Sequence, residues 1–161
     1  MSWKTDILPK RKSPRIFGYD YRTPNYYFIT ICTNQKRCFF GLPTKLSQAG
    51  MIAKKHIEQL ATHYEHIYVD NYVIMPNHVH LILVLEEGNR VAVEQVIAQY
   101  KAGVSREIGK IYPQLGLWQR SFHDHVIRDQ CSYQKIWQYI EENPQKWDKD
   151  CFYTEFTDPM L

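Results

Sequence analysis

The chain has 161 residues, of which 44% are hydrophobic and 14% aromatic, and its formal net charge is +3 at pH 7. This length favours a single domain, and the apolar content excludes a disordered chain. The longest apolar run, 81–85, is far too short to span a bilayer, and the N-terminus lacks the apolar core of a signal peptide, so we expect a cytoplasmic protein.

The N-terminal segment is basic and irregular. Residues 1–22 carry six Lys or Arg side chains against two Asp, interleaved with aromatic residues. Three prolines and a glycine within residues 1–25 predict an arm without regular structure. Such an arm suits a phosphate backbone with exposed bases, whereas a solvated tail is the alternative that composition leaves open. Arg11, Lys12 and Arg15 are the candidate DNA contacts of this arm.

After the arm, hydrophobic periodicity alternates between that of strands and that of helices. Residues 25–33 are rich in β-branched and aromatic side chains, whereas residues 47–64 repeat apolar side chains at helical spacing behind a capping serine. Pro76 and Asn77 are turn residues between two strand-like segments and predict a hairpin. In chain order, the predicted elements are a strand at 25–33, a helix at 47–64, strands at 66–75 and 78–87, a helix at 89–109, a strand at 121–129 and a helix at 132–143.

This order of elements, β-α-β-β-α-β followed by one more helix, indicates an α+β fold. It is the split βαβ, ferredoxin-like pattern, in which the strands form one antiparallel sheet. Many unrelated functions occur on this fold, so the function has to be argued from individual residues.

Two histidines one residue apart, His78 and His80, interrupt the apolar segment MPNHVHLILV. Because residues i and i+2 of a strand share a face, both imidazoles are expected to point the same way. Neutral imidazole nitrogens bind divalent cations, so the pair is a candidate for two metal ligands. The alternative is two half-exposed histidines on the polar face of a sheet.

The final predicted helix carries Tyr139 and Asn143, which are spaced i, i+4 and share a helix face. A carboxamide oxygen is a hard ligand for Mg²⁺ or Mn²⁺, and a tyrosine one turn away is a candidate nucleophile towards phosphorus. Alternatively, Tyr139 packs in the core and Asn143 simply ends the helix.

Three motifs, MPNHVHLIL, LWQRSFHDHVIRD and YIEENP, occur in this order between Tyr26 and Pro144. Together they resemble the HUH single-tyrosine transposases, the IS200-like family, and within it the REP-associated tyrosine transposases. The resemblance implies an HUH transposase domain at 26–145 that ends in a catalytic helix, between the arm at 1–25 and a C-terminal tail at 146–161.

The resemblance also implies a set of roles. His78 and His80 would be the paired metal-binding histidines, Asn143 the third metal ligand and Tyr139 the nucleophile. Members cut single-stranded DNA beside small palindromic hairpins, keep a 5′-phosphotyrosine bond and leave a free 3′-hydroxyl. The expected cofactor is therefore Mg²⁺ or Mn²⁺ and the expected partner a REP-like hairpin. A homodimer is a further expectation, although the REP-associated subgroup also works as monomers.

The motif FHDHVIR contains a second histidine pair, and its neighbourhood supplies further candidates for contacts with the metal site or with DNA. These are Trp118, Arg120, His123, Asp124, His125 and Arg128. The histidines and Asp124 could orient the metal ligands, the arginines could hold phosphates, and Trp118 could stack on a base. The alternatives are surface charge for the arginines and core packing for Trp118.

Two other functions remain open on the sequence. One is a non-catalytic hairpin-binding protein derived from such an enzyme. The other is a zinc hydrolase in which all four histidines of the two pairs bind one ion.

Overall fold

The computed structural model describes residues 15–154, so that Arg11 and Lys12 lie outside the described residues. No helix within this range is both long and apolar enough to cross a membrane. In chain order the elements are β1 (Asn25–Cys32), β2 (Gly41–Leu42), β3 (Lys45–Leu46), α1 (Gln48–Glu58), α2 (Leu60–His63), β4 (Ile67–Met75), β5 (His78–Leu85), α3 (Val93–Gly109), β6 (His123–Ile127) and α4 (Gln130–Glu142), with 3₁₀ helices at Asn34–Lys36 and Asn143–Lys149.

The main sheet has four strands in the order β4-β5-β1-β6, and each neighbouring pair is antiparallel. Two crossovers, each containing a helix, connect these strands, which confirms the predicted α+β, ferredoxin-like fold. The strands β2 and β3 pair with each other in a separate two-stranded sheet, between the predicted strand at 25–33 and the predicted helix at 47–64.

The observed elements differ from the predicted ones mainly at their ends. The predicted helix at 47–64 is divided at Gln59 into α1 and α2. The helix predicted from residue 89 begins at Val93, because the Asn89 side chain accepts a hydrogen bond from the Val91 amide and organises a turn there.

The sheet buries side chains on both faces. One face, which includes Ile29 and Leu81, packs against α1 and α3, and the other, which includes Phe28 and Ile82, packs against α4 through Ile136. Strand β5 lies between β4 and β1 and is buried along its whole length, so polar side chains on it face protein rather than solvent. The even-numbered positions of β5 share the face covered by α4.

Segments at both ends of the described chain pack onto this domain. Tyr21, before β1, is 5% exposed and belongs to the main core, and the side chain of Asp150, beyond α4, is completely buried. Residues assigned to an arm and a tail thus contribute to the packed structure, while the division at 1–25, 26–145 and 146–161 stays a prediction.

Candidate active site

The two histidines of β5 lie side by side beneath α4. The ring centroids of His78 and His80 are 4.5 Å apart, and both residues have no exposed surface. His80 stacks on Phe28 of β1, with 5.3 Å between ring centroids. The shared face expected from their spacing is therefore present, but it is buried rather than half-exposed.

Each of these imidazoles has a hydrogen-bond partner on its Nδ1 atom. For His78 the partner is Asn77 Oδ1 at 2.8 Å, and for His80 it is Thr30 Oγ1 at 2.8 Å. A partner on Nδ1 orients the ring and leaves Nε2 directed at the space between the histidines and α4. Neither partner was identified from the sequence. In the sequence, Thr30 is a polar residue within an apolar strand and Asn77 is typical of a turn, so neither pattern indicates a contact with a histidine.

Under the expectation that these histidines bind a divalent cation, replacing Thr30 with Val should lower the affinity for Mn²⁺ about tenfold, the lower end of the cost of losing an outer partner of a ligand. Valine has nearly the same shape but offers no hydroxyl to His80 Nδ1. The measurement is a Mn²⁺ titration followed by electron paramagnetic resonance. Thr30→Ser, which keeps the hydroxyl, is the matched control and should bind like the wild type. Equal affinity in the Val variant would mean that Thr30 does not orient His80.

Helix α4 brings the nucleophile candidate to the histidines. The Asp129 side chain caps the helix by accepting a hydrogen bond from the Ser132 amide, and the buried Ile136 and Ile140 fix its rotation. The Tyr139 hydroxyl consequently lies 3.4 Å from His80 Nε2. Asn143, one turn further on, is 2% exposed.

A residue beyond the helix, Asp150, completes the cluster. Its Oδ2 atom accepts hydrogen bonds from the Tyr139 hydroxyl at 3.2 Å and from Asn143 Nδ2 at 2.9 Å, and it lies 3.8 Å from His78 Nε2. The structure thus brings together all four residues predicted for the chemistry and adds a carboxylate. Asp150 lies in a segment without periodicity or a motif, so the sequence offered no signal for it.

These side chains form a donor set that suits a divalent cation. One ligand atom from each of His78, His80 and Asp150 lies within 4.8 Å of the others, close to the roughly 4.2 Å across a six-coordinate Mg²⁺ site. Among the hydrogen bonds of residues 15–154, none involves Asn143 Oδ1, which is a buried acceptor. A buried carbonyl oxygen of this kind is costly unless something binds it, and it belongs to the amide whose nitrogen donates to Asp150 of the cluster.

The environment of Tyr139 disfavours its ionised form. Burial is the main cause that raises the pKa of the Tyr139 phenol well above its usual range, and the negative charge of Asp150 is the second. The phenol is therefore protonated at neutral pH and has to lose its proton to act as a nucleophile. Asp150 Oδ2 is the carboxylate oxygen already hydrogen-bonded to it.

The second histidine pair lies on the same sheet face but outside this cluster. His123 is in register with Thr30, and His125 with Phe28, one strand further from β5. The group of potential metal ligands found among residues 15–154 contains His78, His80 and Asp150, and neither His123 nor His125. A single zinc ion bound by all four histidines is therefore not what the structure forms. Their proposed role in contacting DNA stays a prediction, with His123 exposed and His125 half-buried.

The other candidates from this region are dispersed. Trp118 packs on Phe40 and Tyr100, and its indole N–H donates to the Lys101 carbonyl, so it contributes to the core. Arg120 and Arg128 are exposed and could contact a phosphate, which stays a prediction.

Asp124, a candidate for the metal site, and Arg15, a candidate DNA contact of the arm, form an ion pair with each other. Arg15 Nη1 lies 2.9 Å from Asp124 Oδ1, the Arg15 guanidinium stacks on Phe122, and the Tyr21 hydroxyl donates to Asp124 Oδ2. Asp124 faces away from the histidine pairs, because successive residues of β6 point to opposite faces. These contacts attach the beginning of the described chain to the sheet.

Replacing Arg15 with Met is expected to lower the free energy of unfolding by about 3 kcal/mol, because it removes the cationic partner of a completely buried carboxylate. The measurement is urea denaturation followed by circular dichroism. The double variant Arg15→Met/Asp124→Asn, which also removes the buried charge, should recover part of this loss. An unchanged midpoint in Arg15→Met would show that the pair does not hold the segment.

Comparison with known proteins gives concordant results. The family model described as "Transposase IS200 like" matches residues 22–143. An uncharacterized protein of Haemophilus influenzae is 31% identical over 169 aligned positions, which cover 90% of this chain and 94% of that protein. Two solved structures share the fold at lower identity.

The first of these structures is a REP-associated tyrosine transposase bound to a REP hairpin. It has a TM-score of 0.65 and 20% identity, covering 84% of this chain and 74% of that one. The second, described as a transposase from Deinococcus radiodurans, has a TM-score of 0.53 and 19% identity, covering 80% and 95%.

Proposed function

This chain belongs to the family of IS200-like transposases, and from that premise we propose that it cuts and rejoins single-stranded DNA through Tyr139. The observation that carries the proposal is the meeting of Tyr139, His78, His80 and Asp150 in one cluster beneath α4. A phenol beside a set of metal ligands is what phosphoryl transfer through a tyrosine requires.

The proposed metal site consists of His78 Nε2, His80 Nε2, Asn143 Oδ1 and an oxygen of Asp150. We propose Mg²⁺ or Mn²⁺ as the ion, because an amide oxygen and a carboxylate accompany the imidazoles. Such an ion would orient the scissile phosphate and offset the charge that develops during transfer.

The proposed reaction conserves the number of phosphodiester bonds. The Tyr139 oxygen attacks phosphorus, its proton passes to Asp150, and the bond from phosphorus to the 3′-oxygen breaks. The 3′-oxygen takes up a proton from solvent water and leaves as a hydroxyl, and the 5′-phosphate stays on Tyr139. A 3′-hydroxyl can later attack this phosphotyrosine and rejoin the DNA, so the reaction needs no hydrolysis of ATP or GTP.

We propose a short palindromic hairpin with flanking single strand as the substrate. The structurally similar REP-associated transposase is described in complex with a REP hairpin, and this chain carries the same fold over 84% of its length. The exposed Arg120, His123 and Arg128, together with the basic N-terminal arm, are the proposed contacts with the DNA backbone.

The test uses hairpin DNA labelled at either end, incubated with the protein and Mg²⁺ or Mn²⁺, and separated on a denaturing gel. The expected result is a protein–DNA adduct that carries the DNA on the 3′ side of the cut, with release of the other fragment. Binding without an adduct in either metal would instead support a non-catalytic hairpin-binding protein. Sedimentation velocity of the same samples tests the expected homodimer.

A further inference from the structure

The turn that precedes the two histidines contains a side chain with an unusual environment for a turn. Asn77 lies between β4 and β5, where turn residues are ordinarily exposed, yet it is only 1% exposed. Its carboxamide is engaged on both sides. Oδ1 lies 2.8 Å from His78 Nδ1, and Nδ2 donates to the carbonyl oxygens of Phe152 at 2.7 Å and Lys36 at 3.1 Å.

These contacts determine the orientation of the amide and, through it, the tautomer of His78. The two carbonyl oxygens can only accept hydrogen bonds, so the NH₂ group of Asn77 has to face them. The opposite atom, Oδ1, is therefore the acceptor, and His78 Nδ1 has to carry the proton that it accepts. In the neutral ring this leaves the lone pair on Nε2, the atom that faces Asp150 Oδ2 at 3.8 Å.

The same carboxamide holds the segment that delivers Asp150. Phe152 O belongs to residues 150–154, here called the C-terminal segment, and the Phe152 ring lies over His78 with 4.7 Å between centroids. Within this segment Asp150 Oδ1 accepts a hydrogen bond from the Phe152 amide. Its end is attached by Thr154, whose hydroxyl donates to Lys36 O at 3.2 Å.

We propose that Asn77 is a positioning residue that couples the tautomer and orientation of His78 to the docking of the C-terminal segment. This proposal takes one assumption from the proposed function, namely that His78 and Asp150 are metal ligands. By linkage, a cation bound there stabilises the docked segment, and the docked segment raises the affinity for the cation by the same factor.

Two substitutions of Asn77 distinguish the role of its carboxamide oxygen from that of its NH₂ group. Asn77→Asp keeps an oxygen that accepts from His78 Nδ1 but has no N–H group for Phe152 O. Asn77→Ala removes both contacts. Thr154→Ala loosens the segment and removes only the long contact of Asn77 Nδ2 with Thr154 Oγ1, at 3.5 Å, while the bonds of Asn77 to His78 and Phe152 stay in place. Asn89→Ala, at a turn elsewhere in the chain, is the control.

The first measurement is the tautomer of His78 in the metal-free protein, from ¹⁵N chemical shifts of the imidazoles, assigned by the loss of one signal set in His78→Gln. We expect the Nδ1–H form in the wild type and in Asn77→Asp, and a mixture in Asn77→Ala. A wild type in the Nε2–H form would overturn the proposal, whether or not the protein binds metal.

The second measurement is amide hydrogen exchange of residues 150–154 with and without Mn²⁺. The affinity for Mn²⁺ is measured on the same variants. Exchange should slow in the wild type when Mn²⁺ binds and should be faster than wild type in Asn77→Asp, Asn77→Ala and Thr154→Ala. Affinity should fall 10- to 100-fold in Asn77→Ala, and less in Asn77→Asp and Thr154→Ala. Unchanged exchange in both Asn77 variants would overturn the coupling, whereas a wild type that binds no Mn²⁺ would overturn the proposed metal site instead.

Discussion

Replacing Tyr139 with Phe is expected to abolish the covalent protein–DNA adduct and to reduce nicking on the order of 10⁴-fold or more, as when the nucleophile of a covalent mechanism is lost. Phenylalanine keeps the edge-on contact with Phe28, at 6.4 Å between ring centroids, so the helix should stay in place. The hydroxyl is the only group removed. Binding of hairpin DNA, measured by fluorescence anisotropy, should therefore be unchanged.

A second tyrosine of the same helix provides the matched control. The Tyr133 hydroxyl donates to Asp70 Oδ2 at 2.6 Å, and its ring contacts Tyr26, at the end of α4 away from the histidines. Tyr133→Phe should form the adduct as the wild type does. An adduct that persists in Tyr139→Phe would mean that another residue is the nucleophile and would refute the proposed role.

Replacing His80 with Leu is expected to lower the affinity for Mn²⁺ by roughly 100-fold or more and to abolish nicking, because the proposal makes His80 a direct ligand and a direct ligand is worth more than its outer partners. Leucine fills a similar volume beside Phe28 but offers no lone pair. Calorimetric titration of Mn²⁺ into the DNA-free protein measures the loss without reference to activity. His78→Leu should give the same result, because its Nε2 atom faces Asp150 Oδ2 of the same cluster at 3.8 Å.

An exposed histidine outside the sheet is the control for this effect. His63, at the end of α2, is solvent-exposed and has no part in the cluster. His63→Leu should bind Mn²⁺ with wild-type affinity. If His80→Leu also bound Mn²⁺ normally, the ion would be held elsewhere, and the two histidines would have to be regarded as core residues.

The architecture of this protein was predictable from the periodicity of its elements, even though the central strand β5 is buried on both faces. The alternation of apolar residues in β4 and the helical spacing in α3 are local properties, and the order of elements restricts the sheet to few topologies. The boundaries were less predictable, because side chains such as Asn89 redirect the backbone through hydrogen bonds that periodicity does not register.

By itself the sequence determined the parts of the site that are close along the chain. Residues two positions apart on a strand share a face, and so do residues four positions apart on a helix. The pairing of His78 with His80 and of Tyr139 with Asn143 therefore follows from their spacing. Only the tertiary structure decided how these pairs meet and what completes them. Thr30 acts across the sheet, Asp150 acts from an irregular segment, and Asn77 is held by Phe152, so their positions depend on contacts between residues distant in the chain.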